Sequence, residues 1–531
     1  MRLYSPYVAA VLAAAVLSSC GASKMTVAPI STTTAFVAKK APLKEPALQR
    51  WSHLDIVKDS VPGMSVDRAY TEVIKGKKGE KVIVGVIDSG VDIDHPDLKG
   101  AIWNNPKEIA GNGIDDDKNG YIDDVHGWNF LGDSSAENLE LTRLLKKGDD
   151  GSEEYKKMKA AYDEEYQQAL AGKQQVDFIF NANQQIKDHL KKENYTVEEL
   201  KAISTTDSNL NRSKMVMMSV IQQTGPGFNE DLNEYKKQIS DQLNYNLNLE
   251  FDGRKVVGDN PEDINDKNYG NNRVYAIDKD DSLHGTHVAG IIAQIRGNGI
   301  GGDGVSSTAE IMSVRAVPNG DEYDKDIALA IRYAVDNGAK VINGSFGKSY
   351  SPHKQWVFDA IKYAASKDVL IVLAAGNSGY DIDLPENKNF PTDSETAKVE
   401  LADNVLTVGA LNNTYGQALV AGFSNYGSDN VDLFAPGSKI YATVPNAKYK
   451  YEQGTSMASP NAAGVAALVR SYYPKLSAAQ VKKILMDSGV PVTITVSLGE
   501  TEEKRPFTNA SRSGKMVNAY NALIMAAQMS K

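Results

Sequence analysis

The stretch GTSMASP, residues 454–460, opens a run of small and apolar residues that continues through Val469. This run predicts a buried helix, because alanine and glycine allow neighbouring elements to approach closely. Pro460 fits such a helix if it lies in the first turn, where backbone N–H groups have no intrahelical partner. Ser456 would then place its hydroxyl beside free N–H groups at the positive end of the helix dipole. A serine so placed is a candidate nucleophile, although a lone serine there is more simply a helix N-cap.

Five apolar segments predict strands that are buried on both faces, as in parallel sheets covered by helices. The first, residues 81–87, ends directly at Asp88, and the other four are residues 309–317, 340–345, 369–377 and 405–410. Helices are predicted at 327–337 and 354–367. Strands and helices therefore alternate, and the fold class is α/β with a mostly parallel central sheet and helices on both faces. Asp88 would lie at the carboxyl end of its strand, where open α/β sheets hold their active sites.

Between residues 134 and 272 the sequence changes character and predicts an α-helical insertion. Residues 153–175 are highly charged, and residues 231–249 again have a helical pattern. Thr196 followed three positions later by Glu199 forms a capping-box pattern. The two parts of the α/β domain are then residues 51–133 and 273–531.

Length and composition set broad limits on the class of protein. The 531 residues allow two to four domains, and the balance of 41% apolar and 24% charged residues is typical of a globular protein. The formal net charge of −10 and the lack of a basic run argue against a nucleic-acid partner. The sequence does not predict an oligomeric state.

The first 20 residues have the pattern of a signal peptide. Arg2 is followed by an apolar segment at 8–17 that is too short to span a bilayer. The sequence LSSCG at 17–21 resembles a bacterial lipobox, in which the cysteine becomes the acylated first residue. Cys20 is also the single cysteine of the chain. We therefore expect an exported lipoprotein anchored in a membrane, facing the periplasm or the cell exterior; an ordinary cleavable signal with an incidental cysteine is the alternative.

Residues 21–50 lack periodicity and are predicted to be a spacer, so that ordered structure would begin near Trp51. Only 67 residues, 21–87, separate Cys20 from Asp88. A conventional propeptide domain is therefore not expected between them.

A histidine motif, HGTHVAG at residues 284–290, leads into another apolar helix. His284 and His287 are spaced for a metal site, but no glutamate-flanked zinc pattern surrounds them. The alternative is a catalytic histidine. The chain thus contains Asp88, His284 and Ser456 in that order, each at the end of a strand or the start of a helix.

These three blocks, DSG at 88–90, HGTHVAG and GTSMASP, resemble the signature motifs of the subtilisin-like serine proteases, the subtilase or peptidase S8 family. The resemblance covers roughly residues 82–133 and 273–490. It implies a three-layer subtilisin-like fold and a serine endopeptidase that hydrolyses protein or peptide substrates.

The resemblance also implies roles for individual residues. Ser456 would attack the peptide carbonyl, His284 would carry its proton, and Asp88 would orient the imidazole. Asn377, in the sequence AAGN, would donate to the oxyanion. The edge segment Ser345-Phe346-Gly347 would pair with an extended substrate. His287 would be structural, and Lys348 stands where the family more often has a second glycine.

An acidic segment, DDDKNGYIDD at 115–124, matches the front half of an EF-hand loop. His126 stands at position 12 in place of a bidentate glutamate, so a complete EF-hand is not expected. Calcium is the cofactor that this oxygen-rich pattern favours, and a solvated acidic turn is the alternative. The candidate ligands are Asp115, Asp117, Asn119, Tyr121 and Asp123.

Two other classes of function stay open. The protein could be a catalytically silent peptide-binding lipoprotein, although the intact triad argues against this. It could also be a scaffold in which the insertion binds a partner, which an exposed apolar face on residues 134–272 would favour. Within a protease the insertion could be a lid, an exosite or an inert decoration.

Overall fold

The structure is a computed structural model that describes residues 28–30, 41–225, 227–396, 399–499 and 503–531. Its strands are β1 (Val82–Asp88), β2 (Gly127–Asn129), β3 (Ala309–Arg315), β4 (Val341–Gly344), β5 (Leu370–Ala374), β6 (Ser394–Thr396), β7 (Val399–Glu400), β8 (Val405–Leu411), β9 (Leu433–Pro436), β10 (Ile440–Val444), β11 (Lys448–Glu452), β12 (Val490–Pro491), β13 (Thr495–Leu498), β14 (Glu503–Pro506) and β15 (Lys515–Met516).

Within the described residues a nine-stranded sheet has the order β12-β15-β9-β8-β5-β4-β1-β3-β2. Its pairs are parallel except for β12 with β15. The pairs β6–β7, β10–β11 and β13–β14 form separate two-stranded sheets. Each of the five predicted strands is present, which confirms the α/β class with a mostly parallel sheet.

The α-helices are α1 (Glu45–Leu48), α2 (Val66–Arg68), α3 (Glu140–Lys146), α4 (Glu153–Leu190), α5 (Val197–Ala202), α6 (Ser208–Thr224), α7 (Phe228–Asp241), α8 (Leu283–Ala293), α9 (Asp324–Asp336), α10 (Lys354–Ser366), α11 (Thr455–Tyr472), α12 (Ala478–Ser488) and α13 (Ala519–Met529). Helices α8, α11, α12 and α13 share one apolar cluster with the sheet, and α9 and α10 share the cluster on its other face. The sheet is therefore covered on both sides, as its apolar strands require.

Helices α3 to α7 fall within residues 134–272. The predicted helix over 153–175 continues as α4 to Leu190, and the capping box is confirmed by reciprocal bonds between Thr196 and Glu199. Helix α7 ends at Asp241 and is followed by a π-helical turn at Gln242–Asn246. This region buries an apolar cluster of its own, which includes Ile186, Leu200, Met217 and Phe228.

Pro460 lies deeper in its helix than the sequence suggested. Helix α11 begins at Thr455, so Pro460 is its sixth residue and not part of the first turn. A residue at that position would normally donate its N–H to the carbonyl of Ser456. Proline cannot, so the Ser456 carbonyl is left to find another donor.

The sequence predicted that ordered structure begins near Trp51, but residues before Trp51 are already packed on the domain. Ile30 is buried, and its N–H donates to Asn521 Oδ1 at 2.8 Å. Helix α1 precedes Trp51, and its Glu45 accepts from the Tyr451 hydroxyl at 2.7 Å. Part of the predicted spacer therefore packs on the folded domain.

The signal peptide and Cys20 lie outside the described residues. Among the helices that are described, none is long and apolar enough to cross a bilayer.

Candidate active site

Asp88 and His284 are joined directly. Asp88 is the last residue of β1, and His284 is the second residue of α8. Asp88 Oδ1 lies 2.7 Å from His284 Nδ1 and also accepts the Ser89 N–H at 2.7 Å. A carboxylate at this distance assigns the proton to Nδ1, which leaves Nε2 free to accept another.

The surroundings of this pair favour the imidazolium. Asp88 is only 1% exposed, and its second oxygen, Oδ2, has no hydrogen-bond partner. Desolvation of the His284 ring lowers its pKa, but the charge and hydrogen bond of Asp88 outweigh this and raise the pKa above its ordinary value. The ring can therefore hold a proton that it takes from a neighbour.

Ser456 is the second residue of α11, beside the free N–H groups of the first turn. Its Oγ donates to the Ser345 carbonyl at 3.2 Å. Its own carbonyl, deprived of a helical donor by Pro460, accepts from Ser345 Oγ at 2.9 Å. Ser345 therefore holds the nucleophile candidate from both sides, and the Ser456 hydroxyl must turn from Ser345 to reach His284.

Asn377 follows β5 and is fixed by its carbonyl oxygen. Asn377 Oδ1 accepts from the Thr455 N–H at 2.8 Å and from Thr455 Oγ1 at 2.9 Å. The opposite end of the carboxamide is therefore its NH₂ group, and Asn377 is exposed in the cleft that also contains Ser456. Two donors, Asn377 Nδ2 and the Ser456 N–H, lie near one another, since a Cβ on Gly454 would be 3.5 Å from the first and 3.6 Å from the nitrogen of the second.

The cleft has a volume of about 570 Å³ and joins all four predicted catalytic residues. One wall is residues 345–349, which includes the predicted segment Ser345-Phe346-Gly347. The opposite wall, residues 317–320 with Glu322, was not predicted. The turn sequence VPNG at 317–320, one residue beyond the end of β3, was the signal available for it, since site residues follow strand ends in this fold.

Both walls present a glycine toward the cleft. Asn319 exchanges backbone bonds of 2.9 Å with Ser135 and Glu137, and Lys348 exchanges two bonds of 2.9 Å with Phe390. Successive residues of an extended chain direct their N–H and C=O groups to opposite sides. Gly347, next to Lys348, therefore directs its polar groups away from Phe390, and Gly320, at a bend after Asn319, also lines the cleft.

Neither glycine has room for a side chain. Gly320 has φ of +138°, and a Cβ there would meet the Glu137 carbonyl oxygen at 2.2 Å. A Cβ on Gly347 would lie 2.8 Å from Asn389 Oδ1. Asn389 thus fills the space behind Gly347 and separates the cleft from a second cavity of about 340 Å³. No sequence signal marked Asn389.

His287 belongs to the support of the site. Its Nε2 lies 3.1 Å from the carbonyls of both Ile440 and Lys450, so it ties α8 to the β10–β11 hairpin. Burial lowers the pKa of His287 to about 3, and its Nδ1 has no partner. The ring is therefore neutral, which agrees with a structural role.

Two of the predicted ligands in the acidic segment form a cluster with one residue that was not predicted. Asp115 and Asp117 come together with Glu108, their ligand atoms lying within 4.8 Å of one another. Glu108 Oε1 accepts from the Asp117 N–H, whereas Glu108 Oε2 is buried without a partner. An unpaired carboxylate oxygen beside two further carboxylates is an arrangement that a cation would stabilise.

The other three predicted ligands make hydrogen bonds or ring contacts outside this cluster. Asp123 accepts from the backbone N–H groups of residues 111–113. Asn119 Oδ1 accepts from the Tyr121 N–H at 2.8 Å, and the Tyr121 ring packs edge-on against Trp128 and Tyr333. Asp123 thus uses its carboxylate to close a turn of the loop, and calcium at the five predicted residues stays a prediction.

Comparison with known proteins agrees with this geometry. A family model described as the subtilase family, Peptidase_S8, matches residues 79–509. The chain belongs to the subtilase family. Among curated relatives, the thermophilic serine proteinase of Bacillus sp. (strain AK1) is 42% identical over 35% of this chain and 42% of its own length. The cell wall-associated protease of Bacillus subtilis (strain 168) is 41% identical over 42% and 23% of the two lengths.

Thermitase of Thermoactinomyces vulgaris is 34% identical over 45% of this chain and 74% of its own length. The chain therefore spans less than half the length of the first two relatives and most of thermitase. The residues of this subtilase outside the matched range include the predicted signal peptide and spacer.

Proposed function

We propose that this subtilase is a serine endopeptidase that hydrolyses peptide bonds through an acyl-enzyme intermediate. The observation that carries the proposal is the 2.7 Å contact between Asp88 and His284, in a cleft shared with Ser456 and Asn377. Binding a peptide does not require an imidazole whose tautomer is fixed by a buried carboxylate. The catalytically silent alternative is accordingly not favoured.

In the proposed reaction Ser456 Oγ attacks the scissile carbonyl, and its proton passes to His284 Nε2. Asp88 stabilises the resulting imidazolium through Nδ1–H. The negative oxygen of the tetrahedral intermediate accepts from Asn377 Nδ2 and the Ser456 N–H. Collapse breaks the C–N bond, the amine leaves with the proton of His284, and water then releases the acyl group by the same steps.

Substrate would lie as an extended chain between the two walls. The backbone groups of Gly320 and Gly347 are available on either side, so the peptide could form a strand between them. The glycines permit this close approach because they carry no side chain.

The first test is active-site labelling of purified residues 21–531 with a fluorophosphonate probe. We expect the wild-type chain to be labelled and hydrolyse casein, and Ser456→Ala to do neither. Ser459→Ala is a matched control, because Ser459 lies one turn deeper and is buried. A folded wild-type chain that binds peptides without labelling would favour the silent alternative.

We also propose that the protein is exported and anchored through acylated Cys20. The lipobox-like sequence LSSCG after a short apolar segment supports this. Mass spectrometry of the mature N-terminus should show a lipid-modified cysteine, and Cys20→Ala should move the protein from the membrane fraction to the soluble fraction. An unmodified mature N-terminus at another residue would contradict the anchor.

Calcium at Glu108, Asp115 and Asp117 is a further proposal, supported by the unpaired Glu108 Oε2. The bound ion would stabilise the loop by neutralising three carboxylates and would take no part in hydrolysis. Chelation should lower the melting temperature of the wild type but not of Glu108→Gln. Asp116→Asn is the control, since Asp116 accepts from Ile109 and Asn112 outside the cluster. An equal response of all three proteins would contradict the site.

A further inference from the structure

Lys348 links the two walls of the cleft. It belongs to the wall at 345–349, yet its Nζ donates to the Glu322 carbonyl of the opposite wall at 2.8 Å. The same Nζ lies 3.0 Å from Asp324 Oδ1 and 2.8 Å from Glu140 Oε2. The Lys348 side chain is 2% exposed, so its three donors are satisfied away from water.

Glu140 brings the insertion into this contact. It is the first residue of α3, and its N–H donates to Asp321 Oδ2 at 2.7 Å. Arg143, one turn later, donates to Glu140 Oε2 at 2.6 Å. The α/β domain supplies the lysine and one buried carboxylate, Asp324, and the insertion supplies the second, Glu140.

Arg143 also occupies the wall that a substrate would follow beyond Gly320. Its guanidinium donates to the carbonyl of Asp321 at 2.8 Å and to that of Glu322 at 3.2 Å. These carbonyls are therefore already paired, and an extended peptide cannot use them. Displacing Arg143 and Lys348 would leave buried charges without partners, which is costly.

We propose that Lys348, locked by Glu140 and Arg143 of the insertion, closes one end of the substrate cleft and limits how many substrate residues the enzyme can engage on that side of the scissile bond. This inference rests on the proposed endopeptidase activity. Lys348 is then a specificity-determining residue, and the function of the insertion at this end is to hold it in place.

The test uses internally quenched peptides that share one cleavable core and are lengthened by one residue at a time on either side. For the wild type, kcat/KM should stop rising after the first few residues on one side only. In the double variant Lys348→Gly/Glu140→Gln, lengthening on that same side should raise kcat/KM by about fivefold beyond the wild-type plateau, the effect of one or two new backbone hydrogen bonds. The other side should be unchanged.

Lys482→Gln is the matched control, because Lys482 is also buried and ion-paired, to Glu400 at 2.7 Å, but does not line the cleft. Thermal unfolding confirms that each variant is folded. Lys348→Met, which keeps the bulk of the side chain, should retain the wild-type plateau.

Two results would overturn the inference while leaving the protease function intact. One is a wild-type kcat/KM that keeps rising with length on both sides. The other is a folded double variant whose length profile equals that of the wild type. Failure of the wild type to cleave any peptide would instead contradict the endopeptidase proposal, and the inference with it.

Discussion

The packing of helix α11 within the α/β core differs in kind from the contacts that join the helical insertion to that core. Helix α11 of the core is buried from Thr455 to Ser471 except at Ser456. Charged groups of the insertion pair with the core at Glu140, which is buried against the cleft residue Lys348, and at α7, where Glu234 pairs with Lys450 of β11 at 2.7 Å. Apolar burial therefore fixes the helix that carries Ser456, whereas an electrostatic contact fixes Lys348 in the wall of the cleft.

The largest effect should come from the core pair. Asp88→Asn should lower kcat by about 10⁴-fold, because the amide no longer fixes the reactive tautomer of His284. Steady-state hydrolysis of a peptide substrate measures this, and unfolding in denaturant shows whether the fold is kept. A loss below tenfold in a folded variant would mean that Asp88 is not the orienting group.

The same pair predicts the pH dependence of the wild type. His284 acts as a base only when neutral, and its pKa is raised above 6.5 by Asp88. Activity should therefore be low in acid and rise with pH through a midpoint above 6.5. A midpoint of kcat/KM well below 6.5 would contradict this electrostatic account.

Among the contacts of the insertion, the buried ion pairs of Glu140 should contribute most to the free energy of unfolding. Glu140→Ala removes the buried carboxylate that Arg143 and Lys348 share, leaves Lys348 with Asp324 as its remaining close carboxylate, and should lower the free energy of unfolding by about 3–5 kcal/mol. Chemical denaturation measures this, with Glu154→Ala on the exposed surface of α4 as the control. A loss equal to that of the control would show that the insertion is held by other contacts.

Glu140 also makes this contact sensitive to acid. Burial raises its pKa, but Arg143 and Lys348 outweigh burial and lower the pKa to about 2. The stability that the Glu140 charge contributes is therefore complete above pH 4.5 and is lost as the pH falls from 4.5 toward about 2. The difference in unfolding free energy between the wild type and Glu140→Gln should shrink over that window.

A smaller effect is expected at the support of the oxyanion site. Thr455→Val removes the hydroxyl that donates to Asn377 Oδ1 and accepts from the Gly376 N–H at 3.0 Å. We expect kcat to fall by about fivefold with little change in KM, since the bond that orients Asn377, worth about 1 kcal/mol, is lost. Thr455→Ser, which keeps the hydroxyl, should restore kcat; an unchanged kcat in Thr455→Val would rule out this role.

The smallest effect should be at the exposed end of the insertion. Glu234→Ala breaks a solvent-exposed pair with Lys450 and should change the unfolding free energy by less than about 1 kcal/mol. Repeating the measurement at high salt should remove even that difference. A loss as large as that of Glu140→Ala would erase the distinction between the two ends of the insertion.

Much of the core could be predicted because its signals are local. The apolar segment at 81–87 ends at Asp88, and the motifs around His284 and Ser456 each combine a site residue with the helix that carries it. Parallel strands end at one edge of a sheet, so these residues had to converge once the sheet was recognised. Thr196 and Glu199 form their predicted capping box for the same reason, since they lie within one turn.

The sequence interpretation missed features that depend on where an element begins or on residues outside the motif that was recognised. Pro460 was placed in the first turn because the sequence does not show where α11 starts. Glu108 was missed as a partner of Asp115 because it lies outside the loop pattern. Asp123 stays a predicted calcium ligand, and the sequence did not show that its carboxylate also accepts from three backbone donors.

The sequence by itself determined the α/β class, the helical insertion and the identity of the residues proposed for catalysis, because each depends on short-range patterns of polarity and spacing. Only the tertiary structure decided that Ser345 holds Ser456 from both sides, that Gly320 forms a second wall, and that Glu140 joins Lys348. The last of these contacts spans 208 positions of the chain. Pairing at that separation depends on how the insertion packs against the core, which no local pattern encodes.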